Sequence, residues 1–206
     1  MTTDLVFAET FIFLEPGTDP AVDRVVVDNA GSHTLLVWAP DGSAAARVAA
    51  ELAATGVRLI ELYRGFDLAS AAQVIEAVDG RAPVGVAGAF GAGTAPRGSL
   101  KRSVTIYEHP LANAATDRVV REHATGGWTA VIGAPDADLP QVAAELVDGG
   151  AELVEICGGT PLTTAARVRE AVGDRVPVRL VSWPFESIEG AAAFKAAFDA
   201  RMAERG

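Results

Sequence analysis

The chain has 206 residues, 50% of them hydrophobic, and a formal charge of -10. That composition supplies enough apolar mass for a real core and excludes a disordered chain. No basic run occurs anywhere, which excludes nucleic acid as an expected partner, and the single cysteine, Cys157, excludes an internal disulfide or a cysteine zinc cage. The opening "MTTDLVFAETF" lacks the basic start and apolar stretch of a signal peptide. No apolar run reaches the roughly 18 residues of a membrane span. The expectation is a soluble cytoplasmic protein, monomer or homodimer, with a small molecule as its ligand and neither membrane nor nucleic acid as partner.

In chain order, the first strand is "TFIFLEP", and "DPAVDR" introduces a short helix. The strand "TLLVWAP" follows. Ala45, Val48, Ala49 and Leu52 then make the apolar stripe of a clear helix. The strand "VRLIEL", a third helix and the strand "APVGV" complete the series. "GAFGAGTAPRGSLKR" comes next, rich in Gly and Pro and without a helical stripe. The series then repeats: "SVTIYEHP", a short helix from "NAATDR", "TAVIGAP", a helix striped by Leu139, Val142, Ala143 and Leu146, "AELVEI", a helix, and "VPVRLV". A last helix carries Ala191, Phe194, Phe198 and Met202 on one face.

The repetition extends to residues. "RVAAELAATGVRLIEL" aligns with "QVAAELVDGGAELVEI", and "SAAQVIEAVDGRAPVGV" with "TAARVREAVGDRVPVRL", with about half the positions identical in the best region. The chain is read as two copies of one unit: residues 1–93, a linker at 94–102, and 103–206 including the C-terminal helix. Strands alternating with helices predict an α/β fold of two tandem (βα)4-type repeats with parallel strands. The leading expectation is that the strands close into a single barrel-like unit, and the alternative is two parallel-sheet lobes related by a pseudo-twofold axis.

The run "ELVEICGGTPLTTAARVREAVGDRVPV", with "FIFLEPGTDP" upstream, resembles domain-of-unknown-function family 6506, a bacterial family of small α/β proteins. Its distinctive element is glutamate–aliphatic–Cys–Gly–Gly. The second copy keeps it, whereas the first has Tyr63 and Arg64 where Cys157 and Gly158 stand. The resemblance implies the fold and no activity.

Ligands of parallel α/β folds sit at the carboxyl ends of strands, which narrows the candidates. Glu155 alternates with Leu153 and Cys157 on one strand face, and its twin Glu61 alternates with Leu59 and Tyr63. A carboxylate on such a face is costly unless paired, and an unpaired one suits general acid–base work. The competing reading is a structural ion pair, Glu155 with Arg179 and Glu61 with Arg64. His109 aligns with Glu15 at a strand mouth, next to Tyr107. In "CGGTP", Gly158 and Gly159 permit unusual backbone angles, Thr160 suits the N-cap and Pro161 the first helical position, so the corner can hold an anion or serve only as a tight turn. Cys157 reads as a nucleophile or as a small buried hydrophobe. Trp183 and Phe185 offer a lid or core packing. His33 and His123, the latter in or just after a helix, read as structural or solvated. Lys101 and Lys195 lie away from strand ends, which argues against Schiff-base chemistry.

The leading expectation is a small cofactor-independent acid–base enzyme, a lyase or isomerase, acting on a small anionic metabolite. Its catalytic groups would be Glu61, Glu155 and His109. Its ligand contacts would be Glu15, Tyr63, Arg64, Tyr107, Cys157, Gly158, Gly159, Arg179 and Trp183. The alternatives are a non-catalytic binding or assembly protein, and a metal-dependent enzyme using Glu15, Glu61, His109 and Glu155.

Overall fold

A computed structural model describes residues 7–29, 32–89 and 100–204. The first elements in chain order are β1 (Glu9–Leu14), β2 (Arg24–Asn29), β3 (Ser32–Ala39), α1 (Gly42–Ala54), β4 (Ile60–Tyr63), α2 (Leu68–Val78) and β5 (Val84–Ala89). The series then recurs as β6 (Arg102–Glu108), β7 (Arg118–Glu122), β8 (Trp128–Ala134), α3 (Leu139–Asp148), β9 (Leu153–Ile156), α4 (Leu162–Val172) and β10 (Val178–Ser182). A 3-10 turn at Phe185–Ser187 leads into α5 (Ile188–Ala203). The chain divides into two compact units, Met1–Val86 with Trp183–Gly206, and Ala87–Ser182. Most of the expected linker at 94–102 lies outside the described residues. No helix among the described residues is long and apolar enough to cross a membrane.

Within the first unit the strand order is β2-β3-β1-β4-β5, and within the second it is β7-β8-β6-β9-β10. In each, the outermost strand, β2 or β7, is antiparallel and the others pair parallel. The duplication is therefore one of topology as well as of residues.

The strict (βα)4 reading needs correction at one place in each copy. The short helices expected from "DPAVDR" and "NAATDR" are turns that lead into β2 and β7. Asp19 accepts from Ala21 N–H at 2.9 Å while its own N–H donates to Asp23 Oδ2 at 2.6 Å. Asn113 and Asp117 repeat this with Ala115, at 2.9 and 2.6 Å. Short polar side chains compete here for the backbone groups that a helix would use. The runs beyond, "VVVDN" and "VVRE", carry the β-branched residues and alternating exposure of edge strands. Leaving the C-terminal helix aside, each copy consequently has two helices among its described residues, not three.

Elsewhere local chemistry and structure agree. Asp41 caps α1 by accepting from Ala44 N–H at 2.8 Å, and the expected stripe Ala45, Val48, Ala49 and Leu52 is buried. Asp67 caps α2 in the same way at Ser70 N–H, 2.7 Å. These hydrogen bonds from Ser70 at the helix start hold its carboxyl below the usual range. One core lies between α1, α2 and the strands of the first unit, with Ile12, Leu35, Val37, Ile60 and Leu62 at its centre. The second unit repeats it with Val104, Ile106, Ile132, Leu139, Val154, Ile156 and Val168.

The last helix, expected with the second repeat, groups with the first unit. Ser187 Oγ accepts from Val84 N–H at 2.9 Å, and Gly190 lies so close to Pro83 that a Cβ would meet its ring at 3.1 Å. The Arg58 guanidinium stands 5.7 Å from the Phe194 ring centre. Its striped face, Ala191, Phe194, Phe198 and Met202, is half-buried.

Glu9 gives this unit a pH signature. Burial pushes its carboxyl above 4.5, against the opposing pull of the Thr34 hydroxyl, which donates to it at 2.7 Å, and of Arg201 and Arg58. A carboxyl raised in the fold gives its full stability below the unfolded value and loses it as pH rises through the folded value. Glu9→Gln keeps the acceptor for Thr34 and removes that titration. In urea unfolding it is expected to match wild type near pH 4 and to be the more stable at pH 7. The reverse order would mean that the arginines dominate.

Candidate functional site

In each unit one face of the strands packs the helices, and alternation turns the intervening residues to the other face. In the first unit that other face is aromatic. Phe11, Phe13, Trp38 and Tyr63 are buried on it, with Phe13 stacked on both Trp38 and Tyr63 at 5.2 and 5.3 Å between ring centres. Glu61 lies among them, 1% exposed, and accepts a hydrogen bond from the Tyr63 hydroxyl. Its register neighbours are Phe11 and Gly85.

In the second unit the equivalent face is polar. Val154 and Ile156, Val104 and Ile106, and Val178 and Leu180 all pack with the helix-side core, so Glu155, Thr105 and Arg179 turn the other way. These three stand in one row across three adjacent strands: Thr105 on β6 pairs in register with Glu155 on β9, and Glu155 with Arg179 on β10. Glu155 is fully buried. Arg179 Nη1 lies 3.8 Å from Glu155 Oε1, an ion pair longer than a hydrogen bond, and the Arg179 side chain is 13% exposed. Thr105 Oγ1 and Arg179 Nε are both buried, and neither has a hydrogen-bond partner among the described residues.

One pleat below this row, Ser103 Oγ lies 3.5 Å from Thr129 Oγ1, which is 2.8 Å from His123 Nε2. His123 is thus buried just beyond an edge strand, which corrects the expectation of a helix there. One pleat above, Tyr107 lies over Gly133. At the strand mouth His109 is buried and its Nδ1 accepts from Leu111 N–H at 3.3 Å, which leaves the neutral ring's proton on Nε2.

Gly133 is what lets the Tyr107 ring lie flat. A Cβ there would stand 2.5 Å from Tyr107 Cζ and 2.6 Å from its hydroxyl. Gly133→Ala is expected to cost about 2 kcal/mol by overpacking in the wild-type background and much less in a Tyr107→Ala background, where the ring is gone. Urea unfolding of the single and double variants checks this. An equal cost in the two backgrounds would place the strain in the backbone.

The "CGGTP" corner departs from expectation by one position. Pro161, not Thr160, occupies the N-cap of α4, without a side-chain cap bond. Thr160 is buried, and its N–H closes a turn on the Cys157 carbonyl at 3.0 Å. Cys157 is half-buried. Gly159 stays outside the left-handed region, and a Cβ on it would find only an ordinary contact with Cys157 Sγ at 3.9 Å. Left-handed backbone falls in the first copy's corner instead, at Arg64 (φ 66°) and Gly65 (φ 85°).

Among the remaining expected contacts, Glu15 is buried at the end of β1, where its carbonyl accepts from the Thr18 hydroxyl at 2.8 Å. Trp183 is half-buried and Phe185 is 89% exposed. Asp136, just after β8, ties the loop before α3 to α4. It accepts from the Thr164 hydroxyl and from Arg167 Nη2 at 2.5 Å, and these bonds hold its carboxyl low. Among the described residues no three His, Cys, Asp or Glu side chains are grouped to hold a metal ion. The structure therefore brings together Glu155, Arg179, Tyr107 and Cys157 on one face of the second unit, and Glu61 with Tyr63 in the first. Sequence reasoning missed Thr105, although its alternation with Tyr107 in "SVTIYEHP" places it on the same face.

The fold defines a duplicated α/β protein whose two copies carry the same buried acid in different surroundings. The chain belongs to a family of unknown function (DUF6506), whose model matches it twice, over residues 7–95 and 101–196. No curated protein and no solved structure matches the chain.

Proposed function

We propose that the second unit is a small cofactor-independent acid–base enzyme site, of the lyase or isomerase class, for a small anionic metabolite. The observation that carries this reading is the buried Glu155 with the Arg179 guanidinium at 3.8 Å, a distance that leaves donor capacity on the cation for a ligand. In an isomerisation Glu155 takes a proton from the carbon beside a carbonyl. The C–H electron pair becomes a C=C bond as the C=O π pair moves onto oxygen, which takes a proton. The hydroxyl on the deprotonated carbon then gives up its proton as its oxygen forms the new C=O, and Glu155 returns its proton to the former carbonyl carbon. The charge that develops on oxygen falls to the donors on this face, Arg179 and the Thr105 hydroxyl. His109, with its proton on Nε2, is the second proton donor at the mouth. Glu61 has a different part. Its carboxylate already receives the Tyr63 hydroxyl between aromatic rings, which supports a structural role for the first copy.

The test is hydrogen–deuterium exchange in D2O followed by NMR on short hydroxy and oxo acids such as malate and 2-oxobutyrate. Wild type is expected to exchange carbon-bound protons of at least one of them, and Glu155→Gln about a hundredfold more slowly. Exchange at background rates throughout, from a protein that still binds these acids, would leave the binding-protein reading in its place.

A further inference from the structure

The row on β6, β9 and β10 has a chemical asymmetry that bears on what it binds. Glu155 stands in the middle, one strand from each neighbour. On one side a buried hydroxyl, Thr105 Oγ1, has no partner among the described residues, and on the other a buried guanidinium N–H, Arg179 Nε, has none either. Buried polar atoms are almost always satisfied, so two orphans flanking one buried carboxylate mark groups that a bound molecule or ordered water completes. We infer that the ligand of this site is a short carboxylate bearing a hydroxyl or oxo oxygen on a nearby carbon. Its carboxylate lies on Arg179, its second oxygen on the Thr105 hydroxyl, and its exchangeable C–H over Glu155. The assignment rests on the acid–base reading of Glu155.

Three considerations select this class. The flanking residues are two strand spacings apart, about 9.6 Å between Cα atoms, and both side chains project into that span. What remains fits a few carbons and not an extended molecule. The row's own charges, Glu155 and Arg179, sum to zero, so a monoanion restores one favourable pair, whereas a phosphate dianion adds its second charge beside a buried carboxylate. Arg179 presents a planar fork suited to a carboxylate. The same row in the first copy shows what the site needs. There Phe11 and Gly85 flank Glu61, so neither the hydroxyl nor the guanidinium is repeated, and the acid is bonded to Tyr63 instead.

The experiment is isothermal titration of the full chain with 2-hydroxybutyrate, 2-oxobutyrate, butyrate and inorganic phosphate, on wild type, Thr105→Val and Arg179→Lys. Wild type is expected to favour the two oxygenated acids over butyrate, and both over phosphate. Thr105→Val is expected to weaken the oxygenated acids about tenfold while leaving butyrate unchanged, since it removes one hydrogen bond. Arg179→Lys is expected to weaken every carboxylate. Thr105→Val removes a hydroxyl that is unpaired without ligand, so its free form is expected to melt no lower than wild type. A lower melting point would assign that hydroxyl to internal structure and overturn the inference. An unchanged preference in Thr105→Val, tighter binding of phosphate, or no binding of any oxygenated acid at millimolar concentration would also overturn it. Exchange that depends on Glu155 can survive a lower melting point, an unchanged preference in Thr105→Val or tighter binding of phosphate. These failures of the ligand class are therefore distinguishable from failure of the acid–base reading, which is lost as well only if no oxygenated acid binds.

Discussion

Arg179→Met is expected to lower the unfolding free energy by about 3 kcal/mol at pH 7. Two opposing terms decide this. The ion pair itself adds little net stability, because both groups were well solvated in the unfolded chain. Removing only the cation, however, leaves the fully buried Glu155 without the charge that faces it at 3.8 Å. The cycle with Glu155→Gln separates these terms. Glu155→Gln, Arg179→Met together should cost much less than Arg179→Met alone, because a neutral amide does not need the cation. Urea unfolding of the four proteins gives the coupling. If Arg179→Met falls within about 0.5 kcal/mol of wild type, other groups hold Glu155 and the pair is incidental.

Tyr63→Phe is the corresponding experiment in the first unit, with an expected loss of about 2 kcal/mol. The ring contacts with Phe11 and Phe13, at 5.2 and 5.3 Å between centres, survive the substitution, so the loss reports the hydroxyl alone. That hydroxyl donates to the buried carboxylate of Glu61, and hydrogen bonds to charged groups are the strong ones. In a Glu61→Gln background the same substitution should cost about half as much, because the acceptor is then neutral. Thermal and urea unfolding measure both. Equal costs in the two backgrounds would mean that the hydroxyl is held by something other than Glu61. The two experiments together test whether one duplicated acid has been stabilised in two unrelated ways, by an aromatic hydroxyl in one copy and by a guanidinium in the other.

The aromatic and polar faces also explain how the copies diverged. The row Phe11, Glu61, Gly85 and the row Thr105, Glu155, Arg179 occupy equivalent register positions. Only the acid is common to both. In the pleat above, Trp38 and Phe13 stack in the first copy, while Gly133 accommodates Tyr107 in the second. The first face packs aromatic rings around its acid, and the second carries a hydroxyl and a guanidinium beside the same acid.

The sequence by itself determined the duplication, because "VAAEL" and the two glutamates recur in one register, and it determined the helix-packing faces, because their apolar periodicity is local. It also placed Glu155 and Arg179 on neighbouring strands. The tertiary structure decided the rest. Whether "DPAVDR" becomes a helix or a turn depends on side chains of Asp19 and Asp23 that capture backbone groups, and the β-branched run beyond then finds an antiparallel partner in β3. Propensity within a window does not register a partner strand, so β2 and β7 were illegible. The last helix was legible as a helix, but its attachment to the first unit comes from Ser187 and Val84, residues 103 positions apart. Thr105 became part of the candidate site for the same reason. Its alternation assigned it a face, but only the pairing of β6 with β9 set its hydroxyl beside Glu155, since register between distant strands is a property of the folded sheet and not of either segment.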